Sequence, residues 1–179
     1  MLGIVFTSFV EMVEQHFSPQ EAEALLSEAG FSHGGAYTAV GYYPFEDLHT
    51  LLSLLSAKTG IAESELLYSF GKFLFVVLAR SHESMLWEKG NLFELLACID
   101  NEIHQEVRQL YVNADLPSFT VLERTERHML LLYQSKRRLE ILAKGLIEGA
   151  AIFYDTPVTV KLRPLDTPAS GTLLEVRLF

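Results

Sequence analysis

The chain has a single cysteine, Cys98, among 179 residues, which excludes an intramolecular disulfide and any zinc site built wholly from the chain's own thiolates. A reducing cytoplasm is the expected location. Basic residues are also scarce: 14 Lys and Arg stand against 23 Asp and Glu, a formal charge of −9. Neither nucleic acid nor an anionic membrane is therefore an expected partner. No apolar run is long enough to span a bilayer, since the longest, Leu66 to Ala79, contains Lys72 and falls short of the ~20 residues required. The opening Met1 to Val13 lacks the basic segment of an export signal, and Glu11 interrupts it. No linker, internal repeat or low-complexity segment is evident, so residues 1–179 are expected to form one domain with its own core. An apolar content of 49% would suit extra apolar surface around a cofactor.

What is present divides by hydrophobic period. Helical spacing covers Leu2 to His16, and Ser18-Pro19 followed by Glu21 predicts the capped start of a second helix ending at Gly30. Further helices are expected from about Glu46 to Thr59 with Gly60 as its C-cap, over Ala62 to Arg80, and over Asn91 to Tyr111. After Leu116-Pro117 the period shortens. Phe119 to Glu123 and His128 to Ser135 predict one hairpin, Arg137 to Tyr154 returns to helical spacing, and two apolar runs either side of Pro164 to Gly171 predict a second hairpin. The expected fold is α+β, a helical N-terminal part packed on a four-stranded antiparallel sheet.

Two features point to chemistry. In the predicted helix Asn91 to Tyr111, His104 shares one stripe with Ala97, Asp100, Val107 and Tyr111 and so faces inward. On burial alone a lone inward histidine reads first as a satisfied core residue; a neutral imidazole on a helix is also the usual single protein ligand to heme iron. The other five histidines read as surface or capping residues. About thirty residues on, Tyr133, Ser135 and Arg137 alternate. On a strand they would form one file of hydroxyl, hydroxyl and guanidinium roughly 13 Å long, suited to two propionates. Such alternation is also what a solvated strand face looks like, although Met129 and Leu131 would share this one.

Together these residues resemble the heme-nitric oxide/oxygen binding family, related to the heme domain of soluble guanylate cyclase. The resemblance runs from Met1-Leu2-Gly3-Ile4-Val5 through Phe70-Gly71-Lys72-Phe73-Leu74-Phe75, Asp100-Asn101-Glu102-Ile103-His104 and Leu116-Pro117 to Tyr133-Gln134-Ser135-Lys136-Arg137 and Gly145-Leu146-Ile147-Glu148-Gly149. It implies heme b between the helical part and the sheet, His104 as the iron ligand, Tyr133, Ser135 and Arg137 on the propionates, and Pro117 pressing on the porphyrin.

The resemblance also implies that Val5, Phe9, Leu74, Phe75, Leu78, Leu142 and Leu146 line the side opposite His104. None offers a polar side-chain atom, and family members that hold oxygen place a tyrosine where this chain has Leu142. A pocket without a donor favours nitric oxide and carbon monoxide over oxygen. The implied activity is sensing, not catalysis: ferrous heme on His104 binds nitric oxide, the iron bond to His104 weakens, and a separate partner responds. Stand-alone relatives work with a histidine kinase or a cyclic-di-nucleotide enzyme. Some relatives carry a zinc-binding cysteine cluster near the C-terminal sheet, which this chain lacks. Two rival readings are a peroxidase-like heme enzyme, disfavoured by the absence of a distal acid-base pair, and a heme-free module for another carboxylate or acyl ligand.

Overall fold

The computed structural model describes residues 1–165 and 171–179. The helical part comprises α1 (Gly3–His16), α2 (Pro19–Ala29), α3 (Phe45–Thr59), α4 (Glu63–Ser81), α5 (Glu83–Lys89), α6 (Leu92–Cys98) and α7 (His104–Leu110). The strands are β1 (Ser118–Arg124), β2 (His128–Gln134), β3 (Val158–Pro164) and β4 (Thr172–Leu178), with α8 (Glu140–Phe153) between the two hairpins. All strand pairs are antiparallel and the sheet order is β1-β2-β4-β3. This is the α+β architecture that the periodicity predicts. The predicted turn of the second hairpin falls largely on residues 166–170, outside the described residues.

Local chemistry explains several boundaries. Ser18 Oγ accepts the Glu21 N–H at 3.1 Å, with Pro19 in the first helical position, and Gly30 leaves α2 at φ 62°. Such a cap contributes about 1 kcal/mol. Gly60 ends α3 in the same left-handed region, at φ 72°. Met129, Leu131 and Tyr133 of β2 align with Val176, Leu174 and Thr172 of β4, so one sheet face is buried across the register.

Apolar side chains form two cores. The helical core gathers Phe6, Phe9, Val13, Leu25, Leu48, Leu51, Leu55, Phe70 and Leu74, and the sheet-side core gathers Phe93, Leu96, Met129, Leu131, Ile147 and Leu174. Leu146 of α8 packs against both. Helix α8 thus forms the seam between them, held against α4 by the close approach of Gly71 to Gly145.

Three local expectations are corrected. The single helix expected over Asn91 to Tyr111 is interrupted by a π-helical turn, Ile99–Ile103, in which the His104 N–H bonds the Ile99 carbonyl five residues back. A period count is too coarse to detect one inserted residue in a helix. Helix α5, only seven residues long, is too short to show a period in the sequence. Finally, β2 ends at Gln134 and α8 begins only at Glu140. Tyr133 and Gln134 are the last residues of β2 with partners across the sheet, Thr172 and Ser118. Beyond them the Ser135 hydroxyl accepts the Arg137 N–H at 3.2 Å, and Arg138 turns the chain at φ 51°. A serine that bonds its own backbone two residues on stabilises a turn in place of a strand.

Candidate heme site

His104 opens α7 directly after the π-helical turn, with only 14% of its side chain exposed. Its Nδ1 lies 2.8 Å from Asp100 Oδ1. A carboxylate accepts and cannot donate, so the neutral ring carries its proton on Nδ1 and keeps the Nε2 lone pair available. Burial pulls the imidazole pKa below the ordinary histidine value, against the opposing hydrogen bond and charge of Asp100. The ring is therefore neutral near pH 7, the form that ligates a metal. Pro117 lies close by, its carbonyl favouring protonation of His104, and the Phe119 ring sits 5.9 Å from the imidazole, centroid to centroid.

Tyr133 projects from β2 into the sheet-side core with 3% exposure and an edge contact to Phe119 at 5.2 Å. Burial raises its phenol pKa, while hydrogen bonding to Ser135 and to the Leu139 backbone opposes the rise. The phenol stays protonated and able to donate. Arg137 is 14% exposed in its side chain, and its guanidinium donates to the Asp115 carbonyl at 2.6 Å and to Asp115 Oδ2 at 3.0 Å. The three residues are therefore not a straight file on one strand: Tyr133 stands on the strand, Ser135 just past it and Arg137 in the following turn. They remain neighbours because Ser135 bonds both sides, to Tyr133 and to the Arg137 backbone.

The residues expected on the opposite side divide between the two cores. Phe9, Leu74 and Leu142 belong to the helical core, with Val5, Leu78 and Leu146 packed against it, while Phe75 belongs to the sheet-side core. Among the described residues, no three His, Cys, Asp or Glu side chains are placed to hold a metal ion together. A single neutral imidazole, a set of hydroxyl and guanidinium donors linked to it through the Phe119 ring, and the apolar side chains of Phe9, Leu74 and Leu142 suit a metal that arrives with its own equatorial ligands and carboxylates. The donor set therefore fits heme. A separate cleft of about 340 Å³ opens behind Arg137, between α3, the start of α4 and residues 137–141; it includes neither His104 nor Tyr133.

The model of one protein family, Haem-NO-binding, matches residues 2–162. The chain belongs to that family. Solved H-NOX structures agree over nearly its whole length. The Fe(II) unliganded H-NOX protein from K. algicida is 28% identical with a TM-score of 0.92, covering 100% of this chain and 97% of the other. The S. oneidensis H-NOX protein in its Fe(II)NO state is 25% identical with a TM-score of 0.90, covering 100% and 99%. The IWP-051-bound H-NOX from Shewanella woodyi, in its Fe(II)CO state, is 34% identical with a TM-score of 0.86, covering 99% and 94%.

Two residues around the candidate heme site carry weak signals or none in the sequence. Asp100 was visible on the His104 stripe four residues earlier, a spacing that places side chains together, but its role depends on the π-helical turn. Asp115 gave no signal, since its pairing with Arg137 spans 22 residues of turn and hairpin. One histidine expected at the surface is also more than that: His33 bonds the buried Asp47 carboxylate at 2.9 Å and stacks on Phe31. No helix among the described residues is long and apolar enough to cross a membrane.

Proposed function

We propose that residues 1–179 form one heme-based nitric oxide sensor, with His104 as the iron ligand and with Tyr133, Ser135 and Arg137 holding the heme b propionates. The observation that carries this reading is the Asp100 to His104 hydrogen bond, which occupies Nδ1 and so assigns Nε2 as the ligating nitrogen of a buried, neutral imidazole. Heme held there by His104 would supply a ferrous iron able to bind nitric oxide, and the hold of His104 on that iron would weaken as nitric oxide binds.

The remaining chemistry belongs to the chain. Tyr133 and Ser135 donate to carboxylate oxygens, and Arg137 exchanges its bonds with the exposed Asp115 for a propionate. Pro117, beside His104, would press on the porphyrin. Val5, Phe9, Leu74, Phe75, Leu78, Leu142 and Leu146 would line the other side, exclude water and offer no hydrogen bond, which would favour nitric oxide and carbon monoxide over oxygen. Relatives solved with nitric oxide and carbon monoxide support that gas range. None of the seven residues can move a proton, which fits a sensor better than a heme enzyme. A cytoplasmic partner, a histidine kinase or a cyclic-di-nucleotide enzyme, reads the change.

The test is expression under heme-replete conditions. The wild type should purify coloured, with one heme per chain and a five-coordinate ferrous spectrum, and His104→Gly should hold heme only when imidazole is supplied during expression. A colourless wild type, or a variant with the wild-type spectrum in the absence of imidazole, would sink the assignment.

A further inference from the structure

His104 is tied to the sheet by one carboxylate. Asp100 Oδ1 meets His104 Nδ1 at 2.8 Å, and Asp100 Oδ2 accepts the backbone N–H of Phe119 in β1 at 3.0 Å. Both oxygens are committed, and three-quarters of the Asp100 side chain is covered, with 23% exposed. A carboxylate held at both ends cannot turn away from the imidazole without giving up a second bond, so the ring orientation is fixed from outside its own helix. The π-helical turn is part of the device. It lies directly ahead of His104 and contains Asp100, the kind of local widening found where a helix serves a site. Phe119 completes the link, its ring within 5.9 Å of His104 and 5.2 Å of Tyr133.

We infer that Asp100 is a positioning residue that sets how strongly His104 holds iron and carries any displacement of the imidazole to β1 through the Phe119 N–H. The inference rests on the heme reading above. A charged acceptor on Nδ1–H shifts electron density toward Nε2, making the ring a stronger donor than a neutral partner would. The same bond selects the Nδ1–H tautomer before any metal arrives. Movement of His104 then strains the Asp100 bridge, and because the far end of that bridge is backbone, the strain enters the strand that pairs with Tyr133. Helix α7 need not be the only carrier of the signal.

The experiment compares wild type, Asp100→Asn and Glu102→Gln by resonance Raman of the ferrous, heme-loaded proteins. Glu102 is an exposed neighbour whose carboxylate pairs with Lys89, so its replacement removes the same charge without touching His104. Asp100→Asn should move the iron–histidine stretching band to lower frequency and weaken heme retention by about 10- to 100-fold; Glu102→Gln should leave both in place. Nitrogen-15 spectra of the heme-free wild type provide an arm that needs no loaded protein, and His104 should appear there as the Nδ1–H tautomer. An unchanged band and unchanged retention in Asp100→Asn overturn the inference while the heme reading stands. An Nε2–H tautomer in the wild type overturns it as well. A wild type that takes up no heme removes both readings together.

Discussion

Gly71 and Gly145 face each other where α4 meets α8: a Cβ on Gly71 would lie 2.8 Å from the Gly145 Cα, and a Cβ on Gly145 would lie 2.9 Å from the Gly71 Cα. Backbone oxygens are closer still, with Leu142 O 2.4 Å from the first and Tyr68 O 2.3 Å from the second. Alanine in a helix is worth about 1 kcal/mol over glycine, so a freely exposed site would gain from the change. Here the clash is with backbone, and overpacking of this kind costs about 1 to 3 kcal/mol. Gly71→Ala and Gly145→Ala are each expected to lower the denaturation midpoint. A raised midpoint in either would mean that the helices part easily at this crossing.

Much of this fold was legible because burial follows period. The Ser18-Pro19 cap, the glycine exits at Gly30 and Gly60, and the alternation that buries Met129, Leu131 and Tyr133 depend on neighbours within a few residues. The errors lie where the determinant is distant or a single residue wide. Ser135 leaves the strand where its hydroxyl takes the Arg137 N–H, and the π-helical turn before His104 is a one-residue insertion in an otherwise regular pattern. His104 and Arg137 could be nominated from the sequence; Asp115 could not, because only the folded turn brings it to the guanidinium.

The propionate assignment predicts unequal effects along the turn after β2. Arg137 is largely buried, whereas Gln134 is exposed at the end of the strand and lies on the opposite sheet face from Tyr133. A charge-assisted hydrogen bond contributes about 1.5 to 3 kcal/mol, so Arg137→Ala should lose heme to an apomyoglobin scavenger roughly ten- to a hundred-fold faster than Gln134→Ala. Equal rates would show that the guanidinium holds no propionate.

Gas discrimination follows from Leu142. Oxygen on ferrous iron is retained well only when a buried donor points at it, and Leu142, 7% exposed within the helical core, has none. The ferrous wild type should take up nitric oxide and carbon monoxide and show no stable oxygenated spectrum in air. Leu142→Tyr should gain measurable oxygen affinity. A long-lived oxygenated spectrum of the wild type would reveal a donor that these seven side chains do not supply.

Tyr68 gives an alkaline signature unrelated to heme. Its hydroxyl donates to Glu148, and this bond, followed by burial, raises the phenol pKa from 10.0 to about 12. Lys72 and Lys144 stand over its ring at 5.0 and 5.6 Å. Because the folded pKa exceeds the unfolded one, the unfolded chain loses its proton first as pH rises. The contribution of Tyr68 is therefore complete below pH 10 and is lost between pH 10 and about 12. Urea midpoints of wild type and Tyr68→Phe should differ by a constant amount up to pH 10 and converge above it. A gap that persists unchanged at pH 11.5 would exclude the Glu148 bond as its source.

The switch itself is tested by removing the tie that nitric oxide is expected to weaken. In the proposed function His104 would join the α6–α7 segment to the cofactor, and Asp100 links it to the backbone at the start of β1. A ligand shifts an equilibrium only by its differential affinity for the two states, so freeing His104 must stabilise an arrangement in which α7 and β1 are no longer drawn toward the heme. His104→Gly, loaded with heme in the presence of imidazole and then dialysed free of it, lacks the tie in the absence of any gas. In an assay of the cognate kinase or cyclic-di-nucleotide enzyme it should reproduce the output of the nitric oxide-bound wild type, and added imidazole, which cannot restore the covalent link to the helix, should not reverse it. Should the variant instead behave as the unliganded wild type, while the wild type still responds to nitric oxide, the signal originates among Phe9, Leu74 and Leu142 on the other side of the seam.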